Sequence, residues 1–76
     1  MALLKQGATV RSLAILKDGR LASASGGEDG TIKIWPDLEG TGEPVIISHG
    51  SRIWSLAVLA DGRLASAGED GKIKLW

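Results

Sequence analysis

Residues 10–24 of this 76-residue chain recur as residues 53–67, and residues 27–35 recur as residues 68–76, so the sequence is written twice. Of these 24 paired positions 18 are identical, among them Ser12-Leu13-Ala14 with Ser55-Leu56-Ala57 and Asp18-Gly19-Arg20-Leu21-Ala22-Ser23-Ala24 with Asp61-Gly62-Arg63-Leu64-Ala65-Ser66-Ala67. The separation is 43 residues before the loop and 41 after it, which leaves Ser25 and Gly26 without a counterpart in the second copy. A repeat of this length confines the chain to two like supersecondary units.

Each unit reads as short strands separated by turns, and no segment has a helical pattern. Residues 10–16 form an aliphatic and β-branched run, Asp18-Gly19 is a strong hairpin signal, and residues 21–24 are the return strand. Residues 25–30 make a second turn. Residues 31–35 alternate as a third strand halted by Pro36, and Val45-Ile46-Ile47-Ser48 is a fourth, giving a four-stranded antiparallel meander. The second copy repeats three strands, at 53–59, 63–67 and 72–76. A period of roughly 40 to 45 residues with this pattern points to an all-β fold of β-propeller blades.

Size and composition press in the same direction. A chain this short rarely draws more than about 3–5 kcal/mol from its own core. There is no Cys, and His49 is the only histidine, so neither a disulfide nor a zinc site within one chain can brace it. No cofactor or metal is implied, and oligomerisation is the obvious missing source of stability. Nine basic and nine acidic residues balance, so no net field draws nucleic acid or an anionic membrane. Met1-Ala2-Leu3-Leu4-Lys5 is too short for a signal peptide and no apolar run approaches a membrane span, which makes a cytoplasmic protein the default.

The phase of the repeat adds an expectation about partners. Ala2, Leu3, Leu4 and Lys5 stand where the outer strand of a preceding blade belongs, while the second copy lacks its own fourth strand. The domains expected are an outer strand in residues 1–9 donated to a neighbouring chain, a first blade in 10–48, and a second blade in 49–76 completed in trans. An open edge beside Trp76 is a liability that sheets avoid. Head-to-tail contact between copies closes only if the rotation per subunit divides a full turn. Two blades per chain give even totals, eight from a tetramer or six from a trimer, and the tetramer is favoured because a wider ring relaxes wedge-shaped crowding at the axis.

At this point the residues resemble the WD40 repeat family over nearly the whole chain. His49 with Ile53 four positions on, Asp61-Gly62, Leu64-Ala65-Ser66, Asp70 and Trp76 fit the family's unit in order; the first copy supplies Val10, Asp18-Gly19, Leu21-Ala22-Ser23, Asp29 and Trp35. Ser48 replaces the usual Gly before His49, Lys5-Gln6 stands where the first copy should have Gly-His, and Pro36 displaces the Asp that normally follows Trp35. The resemblance implies a structural hydrogen-bond network of His49, Ser66, Asp70 and Trp76 in the second blade. In the first it implies Ser23, Asp29 and Trp35, with Gln6 at the histidine position.

Several patterns admit a functional reading beside a plainer one. His49, Ser66 and Asp70 supply the residue types of a catalytic triad, yet the same Ser and Asp recur beside Gln6, which is no general base. A turn-capping Asp and an internal network are the better account, and no catalytic residue is expected. Two carboxylates per glycine-rich loop fall far short of six to eight calcium ligands, so tight turns are expected there. Lys33, Lys72 and Lys74 read as solvated strand surface.

Trp54 matches Arg11 in the other copy and is not a framework position of the family. It is either an anchor for a partner or part of blade-to-blade packing. Arg11, Arg52, Glu28 and Glu69 complete the candidate partner-binding face. The expected function is a non-catalytic scaffold that binds itself, and through this face other proteins or peptides. The alternatives are a small-ligand or carbohydrate binder with repeated sites, and an excised or engineered fragment that only self-assembles.

Overall fold

In the computed structural model, which describes residues 3–4, 6–28, 30–37 and 42–76, each copy is an antiparallel sheet. The first runs β1 (Val10–Ile15), β2 (Leu21–Ser25), β3 (Thr31–Trp35) and β4 (Val45–Ser48), in that spatial order. The second runs β5 (Ile53–Val58), β6 (Leu64–Gly68) and β7 (Ile73–Leu75). The first hairpins of the two sheets are built alike. Gly19 and Gly62 take φ of 91° and 92°, where a side chain would be strained. The preceding Asp18 and Asp61 accept the backbone N–H two residues on, at 3.0 and 3.1 Å, and pair with the same residue's guanidinium.

Strand ends differ from the sequence expectation by one residue, for local reasons. Leu16 leaves β1 because its N–H bonds the Arg20 carbonyl and its own carbonyl accepts from Gly19, closing the hairpin. The return strands start at Leu21 and Leu64 and run through Ser25 and Gly68, one residue further than expected. Val10 pairs with Ser25 as Ile53 pairs with Gly68, so Ser25 has a structural counterpart after all. Gly68 also opens the next turn, accepting from Gly71 as Gly27 accepts from Gly30. In the second copy one residue both ends the strand and begins the turn; the first copy uses Ser25 and Gly27, and its two extra residues lie across that seam.

The core lies between the sheets. Ala14, Ala22, Ala24, Ile32, Ile34 and Ile47 share one face of the first sheet by cross-strand register, and Ile53, Leu56, Val58 and Leu64 meet them from the second. Ile32 and Ile53 are fully buried, each contributing roughly 1.5–3 kcal/mol of apolar burial. Small Ala residues on one side let the branched chains on the other approach closely. Polar stitches cross the same seam: Leu56 donates its N–H to Ser12 Oγ at 3.2 Å, and Lys17 Nζ donates to the Ala60 carbonyl.

Each sheet has a second face that the other sheet does not cover. On the first sheet it carries Leu13 and Ile15, 59% and 60% exposed, beside the half-buried Leu21 and the buried Ser23 and Trp35. On the second it carries Ala57, Ala65, Ala67, Ile73 and Leu75, with Ile73 72% exposed. Leu3 and Leu4 belong to no strand within the single chain, and Ala2 and Lys5 lie outside the described residues. Among the described residues β7 is an edge strand, and no helix is long and apolar enough to cross a membrane.

Candidate interaction face and buried network

The loop after β4 carries His49 into the second blade, where it is fully buried. Its Nδ1 lies 2.7 Å from Ser66 Oγ and its Nε2 3.3 Å from Asp70 Oδ1, while Trp76 Nε1 donates to Ser66 Oγ at 3.0 Å. One proton arrangement satisfies every group: Trp76 N–H donates to Ser66, the Ser66 hydroxyl donates to Nδ1, and Nε2–H donates to Asp70. Asp70 Oδ1 also caps its turn by accepting the Lys72 N–H at 3.0 Å. That backbone bond, followed by those involving His49 and Ser51, holds the Asp70 carboxyl below its ordinary pKa. Ser66 and His49 have no exposed surface. The arrangement acts as a brace between the β4–β5 loop and the β6–β7 turn.

The first blade makes the same chain of bonds with a different residue. Trp35 Nε1 donates to Ser23 Oγ at 2.9 Å, Ser23 Oγ donates to Gln6 Oε1, and Gln6 Nε2 reaches the Thr31 carbonyl at 3.4 Å. A carboxamide offers an acceptor on one side and a donor on the other, the polarity that a neutral imidazole supplies. Gln6 is therefore a working substitute in the histidine position. Asp29, expected in this network, lies outside the described residues.

At the junction of the blades the inner strands β1 and β5 both bulge. Val10 and Ser12 span a single step on β2, leaving Arg11 as the extra residue, and Ile53 and Ser55 do the same with Trp54. A bulge releases a side chain from the in-out alternation of its strand and re-aims it. Here both are aimed at the junction, and the Arg11 guanidinium carbon lies 4.4 Å from the centre of the Trp54 ring, within cation–π range. They line an open groove of about 320 Å³ with Thr9, Gly26, Arg52 and Glu69. Arg52 pairs with Glu69 of its own blade at 3.2 Å and with Glu28 of the first blade at 3.6 Å. Both pairs are exposed, so they contribute little to stability.

The sequence profile of the WD domain, G-beta repeat family matches residues 3–36 and 42–76. The chain belongs to that family. A search among curated proteins found no match. The two WD40 matches, together with two antiparallel sheets of four and three strands, make this an all-β chain of WD40-like blades. WD40 domains mediate protein–protein interactions and are generally non-catalytic scaffolds.

Within this WD40 chain all five residues expected on the partner-binding face gather at one place: Trp54, Arg11, Arg52 and Glu69 line the groove, and Glu28 reaches it through Arg52. Trp54 packs across the junction against Arg11 and stays 50% exposed. Sequence reasoning missed Lys74, read as solvated surface, which is partly buried and donates from Nζ to the His49 carbonyl at 2.6 Å. It also missed Ser12, the acceptor across the blade seam. Nothing in the local pattern marks either, because both bonds join residues far apart in sequence, within the second blade for Lys74 and across the blade seam for Ser12.

Proposed function

We propose that this WD40 chain is a non-catalytic scaffold whose first partner is itself, closing a propeller-type ring from identical copies and presenting the Arg11–Trp54 face to proteins or peptides. The observation that supports this reading is a correspondence between faces. Leu13, Ile15, Leu21, Ser23 and Trp35 on the open face of the first sheet are the repeat equivalents of Leu56, Val58, Leu64, Ser66 and Trp76, the face turned toward the first sheet. Ala57, Ala65, Ala67, Ile73 and Leu75 on the other open face are the equivalents of Ala14, Ala22, Ala24, Ile32 and Ile34, the face turned toward the second.

A copy docked head to tail therefore repeats, through equivalent residues, the apolar seam that the chain makes internally. Ser55 would accept the N–H of Leu13 from the next copy, as Ser12 accepts that of Leu56. Leu3 and Leu4 correspond to Ile46 and Ile47, whose partners in β3 are Lys33 and Ile32. In the ring they would pair with Lys74 and Ile73 of a neighbour and complete the second blade. The contact is heterologous, so it ends by closure and not by two-fold pairing. Four chains with eight blades is the favoured ring, and three chains with six blades the other. His49, Ser66, Asp70 and Trp76, with Gln6, Ser23 and Trp35, brace the blades that carry the face. Light scattering at micromolar concentration tests this: a mass four or three times the 7.9 kDa chain is expected, and a folded monomer overturns it.

A further inference from the structure

We propose that Trp54 is stacked on both faces in the assembled ring, by Arg11 of its own chain and by Arg11 of the partner subunit, so that guanidinium and indole alternate around the mouth of the channel. The inference rests on the ring reading above. Three observations carry it. Arg11 and Trp54 occupy equivalent bulges at the head of β1 and β5, so one step around the ring carries each onto the position of the other. Across the junction present in the chain they are already stacked at 4.4 Å. Trp54 nevertheless keeps half its surface open, and no carboxylate pairs with Arg11 among the described residues.

At the next junction Trp54 stands where Arg11 stood and meets Arg11 of the partner subunit. A guanidinium and an indole are both planar with two usable faces, so neither is exhausted by its first neighbour. The surface recognised is thus a second copy of this chain.

The test uses the full chain in three forms, native, Trp54→Arg, and the exchange Arg11→Trp/Trp54→Arg, by light scattering across a dilution series at low and high salt. Trp54→Arg makes every position of the belt cationic and should raise the concentration needed for assembly by at least about tenfold. At 1 M salt, where screening acts over about 3 Å, most of that loss should return. The exchange restores alternation and should recover assembly at low salt. A native ring with a Trp54→Arg variant that assembles equally well overturns this inference alone, as does an exchange variant no better than Trp54→Arg. A native monomer overturns the ring as well.

Discussion

The imidazole of His49 fills the space that a side chain on residue 68 would occupy: a Cβ built on Gly68 would collide with Nε2 and Cδ2 of that ring. In the first copy Gln6 replaces the imidazole, and the equivalent strand-end residue is the buried Ser25. The two positions are chosen as a pair. Gly68→Ser alone should destabilise the protein by about 1–3 kcal/mol through overpacking. Adding His49→Gln should recover much of it by recreating the first copy's pair. Urea unfolding of the two single variants and the double variant measures the coupling, and strict additivity would falsify the pairing.

Ser23 and Ser66 each hold the middle of a donor chain, from Trp35 to Gln6 and from Trp76 to His49. Changing either to Ala removes the acceptor of an indole N–H and the donor to a buried side chain. A loss of about 1–3 kcal/mol is expected at each site. Similar losses would show that the carboxamide and imidazole versions brace equally; a neutral Ser23→Ala would mean the Gln6 bonds add nothing.

Asp18, Asp61 and Asp70 share one device, a carboxylate accepting the backbone N–H two residues on, which is the first cause lowering each below the ordinary 3.8. The native state therefore holds these protons less tightly than the unfolded chain does. Their contribution is complete above 3.8 and is lost as pH falls through the lower folded values. The urea midpoint should decline across that acid range. A variant with all three changed to Asn should decline less steeply, and parallel curves would remove the carboxylates as the cause.

The two open faces can be disabled one at a time. Leu13→Asp places a charge on the first sheet's open face and Ala65→Arg one on the second's, and neither touches the packed seam. Each variant alone should stay a monomer. Mixed one to one, each still brings one sound face, so the mixture should stop at two chains. Light scattering decides this, and larger species in the mixture would refute a single head-to-tail contact.

Much of this was legible in the sequence because blade geometry is local. Asp18-Gly19 and Asp61-Gly62 announce their turns, and alternation at Thr31-Ile32-Lys33-Ile34-Trp35 announces its strand. Gln6 was harder, since its role depends on where Ser23 Oγ points, and a type-by-type comparison sees only a missing histidine. Bulges at Arg11 and Trp54 were invisible because a single extra residue leaves no mark until the facing strand is in register. The placement of Ser25 failed for the same reason: residue identity matched Gly27 to Gly68, while hydrogen bonding assigns Gly68 to both.

The bulges at Arg11 and Trp54 have a consequence for how such a chain can change. A residue that no rung of the ladder claims can take a new identity without shifting the register of its strand. The chain displays this freedom itself, holding arginine at one bulge and tryptophan at the other inside copies that otherwise agree at most positions. Evolution, or a protein engineer, could rewrite the chemistry of the rim there while the blades beneath stay as they are.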